Sequence, residues 1–170
     1  MSAQTKYSFS TPLAVAGGIA DISDYSIASR ACEADTGVLK PGMGVIVGSV
    51  PGKNVKAVAA GATAGKFEGV VVNGMTTQYD LDGKMRIEKG ATVGVMEHGK
   101  VWVRIPEDVT IAYGDDVYLV LTGDDAGLFT NSKTATDTAL TFVQVKARFI
   151  GAADTMSTIA PVELFNQAQG

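Results

Sequence analysis

The stretch VQVKARF, residues 143–149, alternates without a break: Val143, Val145, Ala147 and Phe149 are apolar, and Gln144, Lys146 and Arg148 between them are polar. A period of two puts these sets on opposite sides of an extended backbone, so the segment buries one face only as a β-strand. DVYLVLT (116–122) has the same grammar, with Val117, Leu119 and Leu121 on one side and Tyr118, Val120 and Thr122 on the other. Few long windows carry a helical stripe. The best helix candidate is SDYSIASRA (23–31), for which Ser23 or Asp24 would serve as N-cap.

A second pattern occurs in GMGVIV (42–47), GATVGV (90–95) and GDDVYL (114–119), each reading Gly-x-x-Val-x-aliphatic. A glycine turn three residues before an inward-facing valine suits a small barrel or sandwich whose strands start from tight turns. The copies are unevenly spaced and do not make a repeat architecture. Further strands are expected in VKAVAA (55–60), FEGVVVN (67–73), KMRIEK (84–89), LFTN (128–131) and IAPVELF (159–165). Turns are expected at VPGKN, DLDG, TGDDAG and GAADTMS, and NSKTATDTAL (131–140) is polar enough for an exposed loop.

With 170 residues, 46% hydrophobic, 19% charged and 20 glycines, the chain is long enough for one globular domain. Its apolar residues are mostly small or β-branched, which suits narrow, two-sided β layers better than a helix bundle. The formal net charge is −4, and the 14 Lys and Arg residues are scattered. Affinity for nucleic acid or an anionic membrane comes from clustered cations, so neither is an expected partner. The single cysteine, Cys32, excludes an intramolecular disulfide, and no Cys/His cluster offers a zinc site. Cys32 reads as a small buried residue. LAVAGGIA (13–20) is too short and glycine-rich for a signal-peptide core, and no stretch approaches the ~20 apolar residues of a membrane span. A soluble protein made inside the cell is expected.

Residues 1–22 show no sustained period and contain Pro12, yet they carry Tyr7, Phe9, Leu13, Val15 and Ile19. A disordered tail is usually poorer in apolar residues. Two readings stand side by side: an arm that becomes ordered against a partner, and an extra strand or loop packed on its own domain. The division is then an arm over 1–22 and one β-rich domain over 23–170.

Several stretches invite a chemical reading. Glu97 beside His98, the only histidine, suggests an acid–base pair. A catalytic His also needs a nucleophile or second acid and a group fixing its tautomer. The plainer reading makes His98-Gly99 the centre of a hairpin in which Glu97 faces Lys100, Met96 faces Val101 and Val95 faces Trp102. Asp80, Asp82 and Gly83 resemble the start of a calcium loop, but the glycine and Glu88 fall at the wrong positions, and a turn is expected. Asp115-Asp116 and Asp124-Asp125 read as turn residues, because neighbours on a strand point to opposite faces. An enzyme would need Asp108 or one of these four to converge with His98. Neither a phosphate-binding glycine loop nor a nucleophile elbow is present. No catalytic residue, cofactor or metal is expected.

The order of the blocks GGIAD, SRACEADTGVLKPGMGVIVGSVPGKNVKAV, FEGVVV, KGATVGVMEHGKVWVRI, YGDDVYLV, GLFT, VKARFIGAA and IAPVELF resembles the structural cement, or decoration, proteins of tailed-bacteriophage capsids. The resemblance spans roughly residues 17–165 and rests on Gly18–Asp21, Arg30, Pro41-Gly42, Val70–Val72, Gly99–Val103 and Gly114–Tyr118. It implies a mainly β fold: a compact β-barrel or β-sandwich, β-tulip-like, of short antiparallel strands with an extended N-terminal arm. It also implies a non-enzymatic virion protein, made in the host cytoplasm, on the outer surface of the assembled capsid. There it would bridge neighbouring major capsid protein subunits. A homo-oligomer is expected, with a trimer at local three-fold axes favoured over a dimer. Tyr7, Phe9, Pro12, Leu13, Val15 and Ile19 of the arm would make the capsid contact. The alternative is a virion-displayed host-surface or glycan-binding module using the 131–140 loop, Tyr113 and Tyr118.

Overall fold

The computed structural model describes residues 14–74, 78–79, 85–131 and 141–165. The architecture is nearly all strand: β1 (Ile19–Cys32), β2 (Gly44–Val47), β3 (Asn54–Lys56), β4 (Phe67–Val71), β5 (Gln78–Tyr79), β6 (Met85–Arg86), β7 (Thr92–Arg104), β8 (Asp116–Val120), β9 (Phe129–Thr130), β10 (Phe142–Phe149) and β11 (Ile159–Leu164). A single 3-10 turn, Ala64–Lys66, precedes β4, and the described residues contain no α-helix.

Nine strands form one sheet in the order β1-β3-β2-β4-β7-β11-β10-β8-β9, and β1 also pairs with β7. That extra pairing closes β1, β3, β2, β4 and β7 into a ring, antiparallel throughout except for β1–β3. Every strand of the ring sends a side chain inward: Cys32, Val45, Val55, Val71, Val93 and Val95 form one core with Leu39 and Ile87. From β7 the sheet continues through β11, β10, β8 and β9 and folds over the outer side of the ring. The Gly44 amide, at the start of β2, donates to the Gly127 carbonyl in the β8–β9 turn (2.8 Å). A second core fills the enclosed space, with Phe67 edge-on to Phe129 at 6.2 Å.

The wall β2-β4-β7 is thus apolar on both sides. Val45 and Ile46, Val70 and Val71, and Val95 and Met96 are adjacent pairs, and each pair is split between the two cores. Strands buried on both faces read as continuous apolar runs rather than alternating ones, which accounts for GVIV, GVVV and VGVM. β10 keeps its alternation from Gln144 onward, and β8 keeps it except that Val120, on the other side, is buried as well. Val117, Leu119 and Leu121 are buried, as are Val145, Ala147 and Phe149, while Gln144, Lys146 and Arg148 face solvent. The three-fold Gly-x-x-Val pattern is also realised: Gly42, Gly90 and Gly114 have φ of 84°, 84° and 89°, and Val45, Val93 and Val117 are buried.

Two expectations are overturned. Residues 23–31 lie in β1, not in a helix, because Ser26 to Ala31 take up ladder positions opposite His98 to Thr92. Those partners lie some seventy residues away in sequence, and long-range pairing overrides weak local helix preference. The second is the hairpin at His98-Gly99. β7 runs through it as one strand of 13 residues, so Met96 faces Val70 and Ile27 rather than Val101, and Trp102 faces Pro161 rather than Val95. The strands expected at 55–60 and 84–89 are shorter than the patterns suggested, ending at Lys56 and Arg86. The DLDG turn, Asp80 and Asp82 lie outside the described residues.

Candidate functional site

The point where β1 crosses His98 and Gly99 carries the most unusual local geometry. Asp21 is paired with Lys100 and Ser26 with His98, so Ile22–Tyr25 arch outward opposite the single residue Gly99. Gly99 has φ +119°, and a Cβ there would sit 2.6 Å from the Cβ of Tyr25. Only glycine lets the arch pass this close. Below Gly99, Met96 belongs to the second core; beyond it, so do Val101 and Val103, which are five and seven positions further along. Odd separations mean that β7 rolls over by one residue at Gly99 while keeping its direction. The Glu-His-Gly stretch therefore marks a change of face, not of direction.

Ion pairs hold the arch. Lys100 Nζ lies 2.7 Å from Asp21 Oδ2, and the Ser23 amide donates to Asp21 Oδ1 at 3.0 Å. The Lys100 ammonium first, and then Ser23, holds the Asp21 carboxyl down to about 2. At the top of the arch, Asp24 adopts a left-handed backbone with φ 33°. Its carboxylate lies 3.4 Å from His98 Nε2. Glu97 reaches the other way, to Arg30, whose Nε also donates to Glu68 Oε1 at 3.0 Å. Glu97 and His98 are therefore divided between two partners on β1. None of Asp108, Asp115, Asp116, Asp124 or Asp125 is paired with His98; Asp115 instead accepts from Asn131 (2.6 Å) and the Ala112 amide (2.9 Å). Among the described residues no group of three His, Cys, Asp or Glu side chains is placed to hold a metal ion. Cys32 is buried, and that burial pushes its thiol up, away from the reactive thiolate.

The outward side of β1 exposes large apolar side chains among Ser23, Asp24, Ser26 and Ser29. Ile22 is 83% exposed, and Val15, Ile19, Tyr25 and Ile27 are exposed as well. Several large apolar side chains exposed along one short segment mark a contact surface. Of the arm residues expected to make contacts, Val15 and Ile19 stand at the start of this strip, while Tyr7, Phe9, Pro12 and Leu13 lie outside the described residues. The chain is fastened just before β1: Gly17 donates to the Trp102 carbonyl (2.7 Å), Trp102 donates to the Gly18 carbonyl (2.9 Å) and Asn73 donates to the Gly17 carbonyl (2.8 Å). Sequence reasoning missed Ile22, Tyr25 and Ile27. Their signal was present as large apolar residues among Ser and Asp in DISDYSI, but the helical reading of that segment concealed it. Tyr113 is exposed, Tyr118 is half-buried, and apart from Asn131 the 131–140 loop lies outside the described residues.

Residues 3–165 match the model of the family described as structural cement protein (E217 gp24/Pam3 gp6). The fold is that of a chain from the structure described as "The capsid of Myoviridae Phage XM1", with a TM-score of 0.72 and 19% sequence identity. That superposition covers 96% of this chain and 98% of the other. No curated protein matches. The chain belongs to the phage structural cement protein family.

Proposed function

We propose that this chain, as a structural cement protein, binds the outer surface of an assembled phage capsid and bridges neighbouring major capsid protein subunits, without catalysing a reaction. The observation that carries the reading is the family match over nearly the whole chain, 3–165. The uncovered strip from Val15 to Ile27 supports it by supplying a contact face beside the root of the arm. Burying a side chain such as Ile22 or Tyr25 contributes about 1.5–3 kcal/mol at best, and the partner's ordering costs offset part of it. Repetition over a symmetric shell raises such modest contacts through avidity.

The arm, residues 1–22, is proposed to extend this contact through Tyr7, Phe9, Pro12 and Leu13, with Val15 and Ile19 as its docked base. The assembly is proposed to be a homotrimer at local three-fold positions, with a dimer as the alternative geometry. The deciding experiment mixes the purified chain with capsid shells before and after expansion and images occupancy. Ordered density on the exterior, spanning adjacent subunits, is the expected result; shells left bare at saturating protein would overturn the proposal.

A further inference from the structure

The 36–41 loop, β6 and the end of β7 line a cleft of about 540 Å³ whose Pro41 wall packs against Gly17, at the root of β1. Three cations line it, Lys40, Arg86 and Arg104, and among the described residues no carboxylate does. In a chain of net charge −4 this convergence runs against the overall balance. Compensation is thin. Arg104 Nε donates to the Pro41 carbonyl (2.9 Å), a neutral partner that fixes the guanidinium without cancelling its charge. A terminal nitrogen of Arg86 lies 3.5 Å from Glu88, while Arg86 Nε is buried with no hydrogen-bond partner among the described residues. Lys40 has no ion-pair partner among the described residues. Thr36 Oγ accepts the Lys89 amide at 3.2 Å and keeps its own proton to donate.

From this geometry we infer that the cleft is a carboxylate-binding site, which takes an acidic side chain from the surface of a partner protein. Two guanidinium groups offer planar forks that fit a carboxylate, and Lys40 adds a mobile charge at the rim. The buried Arg86 Nε–H is a donor that lacks the acceptor such a ligand would bring. The surroundings favour one carboxylate over a polyanion. Glu88 and Asp35 border the cleft through their pairs with Arg86 and Lys89, and Asp124 lines the adjoining cleft that shares Lys40 and Arg104. A nucleic-acid backbone crossing here would meet those carboxylates, whereas a single Asp or Glu side chain would not. The inference goes beyond the capsid-docking reading by naming a second contact and its chemistry; it draws on that reading only for who the partner is.

The test titrates the isotopically labelled full chain with a blocked Ala-Glu-Ala-Glu-Ala peptide at constant ionic strength. The Gln-substituted peptide, inorganic phosphate and a short oligothymidine form parallel arms. Saturable shifts of the Arg86 and Arg104 Nε–H signals with the Glu peptide alone are expected, and R86Q and K40Q should each weaken binding about tenfold. If R86Q does not fold, K40Q decides, because Lys40 is exposed. No saturable shift, equal shifts with phosphate or oligothymidine, or unchanged binding by K40Q would overturn the assignment. Shell occupancy by the wild-type chain is measured alongside. Shells decorated normally with no peptide response would sink the cleft alone, and a peptide response with bare shells would sink the docking reading alone.

Discussion

Glu97 and His98 are neighbours in sequence, yet Glu97 meets Arg30 and His98 meets Asp24 at two separate places on β1. Consecutive side chains on a strand point to opposite faces, so the pair is separated by the pleat itself. Asp24 belongs to the arch where β1 leaves the ladder over Gly99, and Arg30 lies beyond it, where the ladder has resumed.

Gly99→Ala should therefore lower stability by about 2 kcal/mol or more, because φ +119° is strained for a side chain and the new methyl would meet Tyr25. His98→Ala should change stability far less and leave shell binding intact. Urea denaturation of both variants checks this, and a G99A midpoint equal to wild type would contradict the close approach.

Arg30 holds two carboxylates, and its side chain and that of Glu68 are 15% and 14% exposed. Arg30→Met should cost roughly 2–4 kcal/mol, since it leaves half-buried charges without a counter-ion. Adding E68Q and E97Q to R30M should restore most of the loss. If the triple variant is no more stable than R30M, the charges were not the cause.

Ile22→Asp alters a residue that is 83% exposed and should shift stability by no more than about 0.5 kcal/mol, while Tyr25→Ser, which removes a half-covered ring over Gly99, should cost about 1 kcal/mol. Both should sharply reduce shell occupancy in co-sedimentation. Full occupancy by the double variant would exclude the arch from the contact.

Removing residues 1–13 spares the Gly17–Trp102 bonds and should leave a folded domain with weakened shell binding. Removing 1–20 also takes the Ile19–Val101 pairing and should cost stability as well. Thermal unfolding and co-sedimentation of the two truncations separate anchoring from binding.

The acid limb of stability has a definite sign. Asp21 is held down to about 2 by Lys100, and Glu33, Asp115 and Asp154 are lowered by hydrogen bonds from Ser49, Asn131 and Ser157. A depressed folded-state value gives stability that is complete above the unfolded carboxyl range near pH 4 and lost as the pH falls through the folded values. Stability should thus be level from about pH 5 to 8 and fall steeply below about pH 4, and D21N should shallow the fall. An unchanged acid limb in D21N would deny the Asp21–Lys100 pair its part.

Much of the fold was legible because burial writes periodicity into sequence. Strands buried on one face, such as 143–149, announce themselves by alternation, and Gly42, Gly90 and Gly114 mark turns that side chains rarely adopt. The double-sided wall was legible only as a preference for small β-branched residues. Val70 and Val71 look alike in sequence and differ only in which core they enter. The β1 arch was hidden for a physical reason: its shape depends on Gly99 and Lys100, which lie far along the chain. His98-Gly99 read as a turn because positive φ is the usual signature of one, and here the same torsion rolls a strand over. The cationic cleft was equally hidden, since Lys40, Arg86 and Arg104 are scattered in sequence and meet only in three dimensions.

The wall shared by the two cores should make the strands around them unfold as one cooperative unit. Neither compartment can melt alone, because opening one exposes an apolar face of strands that still form the boundary of the other. Backbone amides of β2, β4 and the first half of β7 should therefore exchange with solvent only through global unfolding, at one common free energy, while the arch at 22–25 exchanges freely. Among the described strands there is no weaker half to yield first.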